Sequence, residues 1–178
     1  ISIFKKNPNH LETIFYLGMI ALKNREFVKA KTLSQKAIKI NPTFAEAHHN
    51  LGQSFKDLGE NGKAIASYKE AIKIKPDLFA SYNNLGNIFK ENNENNKAVE
   101  YFLKAIKINP KSFEAYNNLG IVYKLLKDYK KADECFKNAI EINSKFYMAY
   151  YNLGKMYKEI KKYEEAIKYL KMVNTKRA

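Results

Sequence analysis

The sequence predicts an all-α protein built as a stacked array of helix pairs, a solenoid. A Leu-Gly dipeptide recurs at a fixed interval of 34 residues, which is the signature of a repeat array. Between these dipeptides, apolar residues recur at three- and four-residue spacing, as they do in amphipathic helices. With 178 residues, of which 46% are hydrophobic, the chain can bury a continuous core between neighbouring repeats.

Five repeats follow a short opening segment. Residues 1–10 match the end of a repeat, and we interpret residues 1–6 as the last turn of a helix. Because the chain opens part-way through a repeat and without Met, we expect it to be a fragment of a longer protein. No linker interrupts residues 1–178, so we expect a single array with a truncated fifth repeat. The repeats are 11–44, 45–78, 79–112, 113–146 and 147–178.

Each repeat is expected to hold two helices. In the fourth repeat one apolar stripe runs from Tyr116 to Tyr123, and a second begins at Tyr129. Short polar turns join the two helices of a repeat. Between repeats stands a proline, which ends a helix because it lacks an N–H group and clashes with the preceding turn. Ser144 takes its place in the fourth repeat.

The repeated glycines indicate close helix packing. A glycine inside a helix costs about 1 kcal/mol relative to alanine, so five glycines in register require a structural reason. We expect the partner helix to pass close to each one. Large residues at the eleventh and twenty-fourth positions of the repeat, such as Tyr123 and Phe136, are expected to fill the neighbouring space.

These positions together resemble the tetratricopeptide repeat. The third repeat matches that pattern throughout, with Tyr82, Leu85, Gly86, Phe89, Ala98, Phe102, Ala105 and Pro110. The resemblance covers the whole chain and implies a right-handed superhelix of antiparallel helix pairs. It also implies that the first helices line a concave groove, with positions 2, 5, 6, 9, 12 and 13 of each repeat facing it.

Asparagine occupies the sixth position in four repeats. We call these residues the asparagine row: Asn50, Asn84, Asn118 and Asn152. An amide offers a donor and an acceptor, so it can pair with a peptide backbone of any sequence. Packed helices lie about 8–10 Å apart and an extended peptide advances about 3.3 Å per residue, so one asparagine would meet about every third residue.

The asparagine row resembles that of the O-linked N-acetylglucosamine transferase repeats, which hold substrate peptides by the backbone. Asparagine at this position is also common in the family at large, so shared ancestry is the alternative explanation. By the same resemblance, further peptide contacts are expected from neighbouring groove positions. These are His49, Gln53, Asn83, Asn87 and Asn117.

Lysine occupies the twelfth position of the same four repeats. We call these residues the lysine row: Lys56, Lys90, Lys124 and Lys158. Four lysines along a groove would favour an acidic ligand, and salt would weaken the binding. Because the formal net charge is +14 and lysine is plentiful everywhere, a solvated surface is the alternative.

Composition argues against nucleic acid as the partner. Nearly all the positive charge is lysine, with Arg25 and Arg177 as the arginines, whereas phosphate and base recognition usually relies on arginine. A clamp for a terminal carboxylate, known in some members of the family, is also disfavoured. Positions 5 and 9 never combine lysine with asparagine.

We expect no catalytic residue, cofactor or metal in this chain. His48 and His49 are adjacent, so on a helix they point about 100° apart and cannot share a metal. Cys135 has no histidine near it in the repeat pattern, which favours a packed or surface thiol over a nucleophile. A single cysteine suits a reducing compartment, so a cytoplasmic location is expected. No apolar run approaches the ~20 residues that span a membrane.

The sequence therefore predicts a scaffold that binds an extended, acidic peptide segment. One alternative is the substrate-recognition arm of a larger transferase, with a catalytic domain elsewhere in the parent protein. Another is self-association through uncapped ends of the array.

Overall fold

The computed structural model of the chain describes residues 10–177, with side chains up to residue 175, and these residues form ten α-helices and no strand. The helices are α1 (Leu11–Lys23), α2 (Phe27–Ile40), α3 (Ala45–Asp57), α4 (Asn61–Ile74), α5 (Phe79–Glu91), α6 (Asn95–Ile108), α7 (Phe113–Leu125), α8 (Tyr129–Ile142), α9 (Tyr147–Glu159) and α10 (Tyr163–Arg177). The all-α prediction is confirmed. The expected end of a preceding repeat, residues 1–10, lies outside the described residues except for His10.

Two helices fall within each of the five repeat boundaries. Three residues separate the helices of a pair, and the middle one has a positive φ in every repeat. A residue in this left-handed region reverses the chain after a helix, so the two helices run antiparallel. Four of these residues are not glycine and have φ of 61°, and the glycine has φ of 78°. They are Arg25, Gly59, Asn93, Lys127 and Lys161.

The turns between repeats depend on asparagine as well as proline. The helices α2, α4 and α6 each end two residues before a proline, but α8 ends at the same place with Ser144 instead. In three of these turns the residue after the helix is an asparagine whose Oδ1 accepts the N–H two residues on, at 3.0–3.2 Å. Such a bond mimics a backbone turn. The asparagines are Asn41, Asn109 and Asn143.

The glycine of α3, α5 and α7 packs against the second helix of its own repeat. A Cβ built on Gly52 would lie 2.8 Å from the Tyr68 ring, and one built on Gly86 would lie 2.7 Å from the Phe102 ring. Both rings are fully buried. The predicted close approach of the two helices is thus observed, and the residue at the twenty-fourth position makes the contact.

The chain forms two compact units, Ile1–Leu85 and Gly86–Ala178, with the boundary inside α5. In the first unit, Ile14 packs with Ala37 and Ala47 between α1, α2 and α3. In the second unit, Phe136 and Leu153 belong to a larger buried cluster between α8, α9 and α10. None of the helices in the described part of the chain is both long and apolar enough to cross a membrane.

Candidate functional site

In the first unit, the structure brings Asn84 and Gln53 together. The Asn84 amide on α5 donates to Gln53 Oε1 on α3 at 3.1 Å and to the Tyr68 hydroxyl at 3.1 Å. Gln53 in turn donates to Asp57 at 2.8 Å. Two predicted contact residues therefore belong to one hydrogen-bond network that ties neighbouring first helices to each other.

Asn50 lies at the same repeat position as Asn84 but has a different environment. It is only 8% exposed, and its Nδ2 has no hydrogen-bond partner among the described residues. Counting 31 residues back from Asn84 gives Gln53, whereas the same count from Asn50 gives Met19, which has no oxygen in its side chain. The counterpart of the second acceptor, Tyr68, is Ser34, whose hydroxyl stands on a much shorter side chain, so Asn50 lacks both acceptors that Asn84 uses. Asn83 likewise has a buried Oδ1 without a partner.

The two adjacent histidines contact different groups. The Nδ1 atom of His49 lies 2.8 Å from Ser81 Oγ on α5, and burial lowers the pKa of His49 to about 4, against a smaller opposing effect of Glu46. His48 Nε2 lies 2.9 Å from the carbonyl oxygen of Pro42. His49 thus links α3 to α5 as a neutral side chain at physiological pH.

In the second unit, Asn152 of the asparagine row pairs with Asn117. The Asn152 amide on α9 donates to Asn117 Oδ1 on α7 at 2.9 Å. Asn117 is buried, while Asn118 and Asn152 are half-buried. Asn87 on α5 accepts from Lys90 at 3.1 Å. The amides of Asn117 and Asn152, and that of Asn87, are therefore positioned by internal bonds.

One lysine of the lysine row has an acidic neighbour that was not predicted from the sequence. In the second unit Lys124 Nζ lies 4.0 Å from the Glu159 carboxylate, and Glu159 also accepts from the Tyr129 hydroxyl at 2.9 Å. Lys158 is exposed, and Lys56 in the first unit is half-buried. Glu159 stands at the thirteenth position of its repeat, one of the positions expected to face the groove, so the acidic residue was visible in the sequence.

The helix α9, which carries Glu159, also has exposed apolar side chains that were not predicted as contact residues. Met148 and Tyr151 of α9 are both exposed, and Lys155 Nζ lies 5.5 Å from the centre of the Tyr151 ring. A lysine over an aromatic face is a cation–π contact. The sequence contained the signal for both residues, because Met148 and Tyr151 stand at the second and fifth positions of the repeat, which were expected to face the groove.

Chemistry at Cys135 is disfavoured by its environment. The side chain is buried, and burial raises the pKa of its thiol to about 12. The thiolate, which is the nucleophilic form, is therefore scarce at physiological pH. Within the described residues, no cluster of three or more histidine, cysteine, aspartate or glutamate side chains could hold a metal ion.

Family models match most of the chain. One described as "TPR repeat" matches residues 52–93 and 86–127. Two described as "Tetratricopeptide repeat" match residues 113–146 and residues 33–66 and 135–168. Together these matches run from residue 33 to residue 168.

Among curated proteins, a stretch of 58 residues is 36% identical to the UDP-N-acetylglucosamine–peptide N-acetylglucosaminyltransferase of Caenorhabditis elegans. The stretch is 33% of this chain, and it covers 5% of that enzyme.

Among solved structures, MamA is 28% identical, with a TM-score of 0.81 over 90% of this chain and 94% of MamA. YrrB, described as a TPR protein with an unusual peptide-binding site, is 17% identical, with a TM-score of 0.76 over 98% and 90% of the two chains. At that identity, the likeness to YrrB shows the fold alone.

Proposed function

The chain belongs to the tetratricopeptide repeat family, and on that premise we propose that it is an interaction scaffold that binds an extended, acidic peptide segment on the first-helix faces of its repeats. The peptide-binding description of YrrB concerns a protein of the same fold and supports this kind of ligand. The proposed contacts are the asparagine row for the peptide backbone and the lysine row for acidic side chains.

The hydrogen bond between Asn152 and Asn117 is the observation that carries the proposal. An asparagine amide has two N–H donors and an oxygen with two lone pairs. The bond to Asn117 uses one donor of Asn152, which leaves a second N–H and the oxygen for a ligand. Because the amide is already oriented, binding costs less side-chain entropy than it would for a freely rotating group.

Charge on α9 supports an acidic ligand. Lys155 and Lys158 are both exposed there, and Glu159 is the neighbouring carboxylate. The exposed Tyr151 ring and Met148 side chain stand on the same helix. This combination suits a peptide that presents an apolar residue flanked by aspartate or glutamate.

A double variant in the second unit tests the backbone contacts. We would select peptides from an immobilised library of random twelve-residue sequences with the full chain, and then titrate the selected peptide. In the double variant Asn118→Ala, Asn152→Ala, the loss of two bonds worth about 0.5–1.5 kcal/mol each should weaken affinity by roughly 5- to 150-fold. Asn152→Ala also removes the donor to the buried Asn117 Oδ1, so the melting temperature should fall, and affinities are compared at a temperature at which both proteins are fully folded.

Asn96→Ala is the matched control, because Asn96 is an exposed amide on the second helix α6. It should leave peptide affinity unchanged. Equal affinities for the asparagine-row variant and the wild type would refute the backbone contacts, and a library that returns no peptide would refute the scaffold proposal.

A role as the substrate-recognition arm of a larger transferase is a more specific form of the same proposal. Its support is the matching stretch of the Caenorhabditis elegans transferase, together with the asparagine row. Replacing the matching repeats of that transferase with repeats from this chain tests it. Retained glycosylation of protein substrates is expected, and glycosylation limited to short peptides would contradict it.

Self-association is a second candidate function, favoured by the apolar side of α1. Leu17 and Ile20 are 39% and 51% exposed, whereas their repeat counterparts Leu119 and Val122 are 2% and 0% exposed. An equivalent face of another copy could cover them. Sedimentation of the full chain should then show mass rising with concentration, and Ile20→Lys should abolish the rise. A constant monomer mass would contradict this function.

A further inference from the structure

Two repeats contain a stacked pair of aromatic rings between their helices. In the third repeat, Phe89 and Tyr101 have ring centres 5.2 Å apart and planes inclined by 15°. In the fifth repeat, Tyr157 and Tyr169 have ring centres 5.6 Å apart and planes inclined by 22°. The first ring of each pair stands at the eleventh position of the repeat and the second at the twenty-third. The stack is therefore a repeated feature of this chain.

The fourth repeat keeps the first ring and lacks the second. Its eleventh position is Tyr123, but its twenty-third position is Cys135, whose side chain is far smaller than a tyrosine. A pocket of about 320 Å³ lies at this place, lined by both residues. We call it the Tyr123 pocket. The residue that corresponds to the stacked tyrosine of the third and fifth repeats thus lines an open pocket in the fourth.

We propose that the Tyr123 pocket binds the aromatic side chain of a partner protein, whose ring stacks on Tyr123 where the chain's own tyrosine would stand in the neighbouring repeats. Apolar walls come from Leu103 and Ile106 on α6 and from Tyr116 on α7. Aromatic pairs favour offset or tilted arrangements with ring centres about 4.5–7 Å apart, which the two internal stacks already show.

The rim of the pocket selects among aromatic side chains. Glu134 and Asn138 on α8 line it, as does Lys131, whose Nζ lies 5.3 Å from the Tyr123 ring and 2.7 Å from Asp128. These groups can hydrogen-bond a phenolic hydroxyl at the edge of the pocket. A tyrosine side chain therefore fits better than a phenylalanine.

A peptide segment fits the surroundings of the pocket better than a free small molecule. Leu103 lines the pocket and is 47% exposed, so apolar surface continues outside it. A residue next to the bound tyrosine could cover that surface. Cys135 contributes a small, buried, protonated thiol to the wall, so the binding is non-covalent.

The Tyr123 pocket is separate from the proposed peptide site. Its residues come from α6, α7 and α8, and no member of the asparagine row or the lysine row lines it. The two proposals can therefore fail independently. A scaffold with both sites would engage two segments, or two faces, of its partners.

Titration of the full chain with p-cresol, the side-chain analogue of tyrosine, tests the pocket. In nuclear magnetic resonance spectra, saturable shifts are expected at Tyr123 and Cys135, with a dissociation constant in the millimolar range. Cys135→Tyr restores the residue found in the third and fifth repeats, so it should fill the pocket and weaken p-cresol binding more than tenfold. Cys135→Ala, which keeps the space open, should still bind.

A peptide probe tests the nature of the occupant. The peptide acetyl-Gly-Gly-Leu-Tyr-Gly-Gly-amide should displace p-cresol and bind more tightly, and its Tyr-to-Ala version should not compete. Failure of the tyrosine peptide to compete would overturn the assignment to a protein partner.

Three further results would overturn the pocket itself. The first is the absence of saturable shifts in the wild type, and the second is unchanged p-cresol binding by Cys135→Tyr. If that variant does not fold, the third is the absence of nuclear Overhauser contacts between p-cresol and the Tyr123 ring in the wild type.

Discussion

The ring of Phe136 lies against the backbone of Gly120, so closely that a Cβ built on Gly120 would be 2.7 Å from the nearest ring carbon. The two residues stand on α7 and α8 of one repeat. Phe136 is fully buried, so the ring has no solvent-facing space to move into. This contact gives a physical reason for the glycine at the eighth position of the repeat.

Gly120→Ala should destabilise the protein. The added methyl group would force the Phe136 ring or α8 to shift, and overpacking of this kind costs about 1–3 kcal/mol. The higher helix propensity of alanine offsets at most about 1 kcal/mol of that cost. Urea unfolding followed by circular dichroism should show a lower free energy of unfolding.

Gly18→Ala is the matched control. Its Cβ would meet Leu33 Cβ at 3.6 Å, which is ordinary contact, because the twenty-fourth residue of the first repeat is Ser34 rather than an aromatic. The substitution should leave stability unchanged or raise it by up to about 1 kcal/mol. Similar losses for both variants would show that the ring contact does not explain the glycine.

Repeat periodicity predicted the helix pairs and their close packing well, because both depend on residue size at fixed positions. Gly120 and Phe136 illustrate this, since their contact lies within one repeat. The turn role of Asn41 and Asn143 could also have been read from the sequence, as asparagine recurs just after the second helix. Attention to proline alone missed it.

The surroundings of the asparagine row were less predictable. The bond from Asn152 to Asn117 joins residues 35 apart, and the bond from Asn84 to Gln53 joins residues 31 apart. Both depend on how neighbouring first helices pack and on side-chain rotamers, which a one-repeat pattern does not contain. The unpaired amide of Asn50 follows from Met19 and Ser34, which stand where the two acceptors of Asn84 would be, and not from Asn50 itself.

Acid should destabilise the first unit through His49. Burial holds the pKa of His49 near 4, below its ordinary value of 6.5, so the unfolded chain binds the proton more readily than the folded one. The contribution of the neutral His49 to the free energy of unfolding is therefore fully present above about pH 7. It is lost as the pH drops from about 6.5 to 4. The loss should reach roughly 3 kcal/mol, from about 1.4 kcal/mol for each pH unit of difference.

The measurement is the free energy of unfolding at pH 7.5 and at pH 4.5, for the wild type and for His49→Gln. Replacing His49 removes the titrating group, so the variant should lose less stability over this interval than the wild type. His10→Gln, a change at an exposed residue before α1, should behave like the wild type. Parallel pH curves for the wild type and His49→Gln would exclude His49 as the cause.

Lys124→Gln with Lys158→Gln should flatten the salt dependence of peptide binding. Exposed charges attract an acidic ligand strongly at low ionic strength and weakly once the Debye length falls below about 8–10 Å. The double variant should therefore bind a library-selected acidic peptide more weakly than the wild type does at 50 mM NaCl. At 500 mM NaCl the two proteins should bind it with similar affinity. Lys171→Gln, an exposed lysine on α10 outside the row, is the control. An unaltered slope would mean that the lysine row does not contact the ligand.

The start of α10 departs from the capping pattern seen at the start of α8. Asp128 caps α8, where its side chain accepts the Lys131 N–H at 3.2 Å and forms an ion pair with the Lys131 ammonium at 2.7 Å. The corresponding residues at α10 are Lys162 and Glu165, so the charges are exchanged. A lysine at this position cannot accept the free N–H groups of the first turn.

Lys162→Asp should therefore stabilise the second unit. An aspartate before the first turn can accept an N–H group there, which is worth about 0.5–2 kcal/mol, and its negative charge interacts favourably with the helix dipole. Lys162→Gln separates the two effects, because it removes the positive charge without adding a good cap, and it should gain only a few tenths of a kcal/mol. The check is urea unfolding of both variants beside the wild type. Equal gains would assign the effect to charge alone, and no gain from Lys162→Asp would mean that this end of α10 does not limit stability.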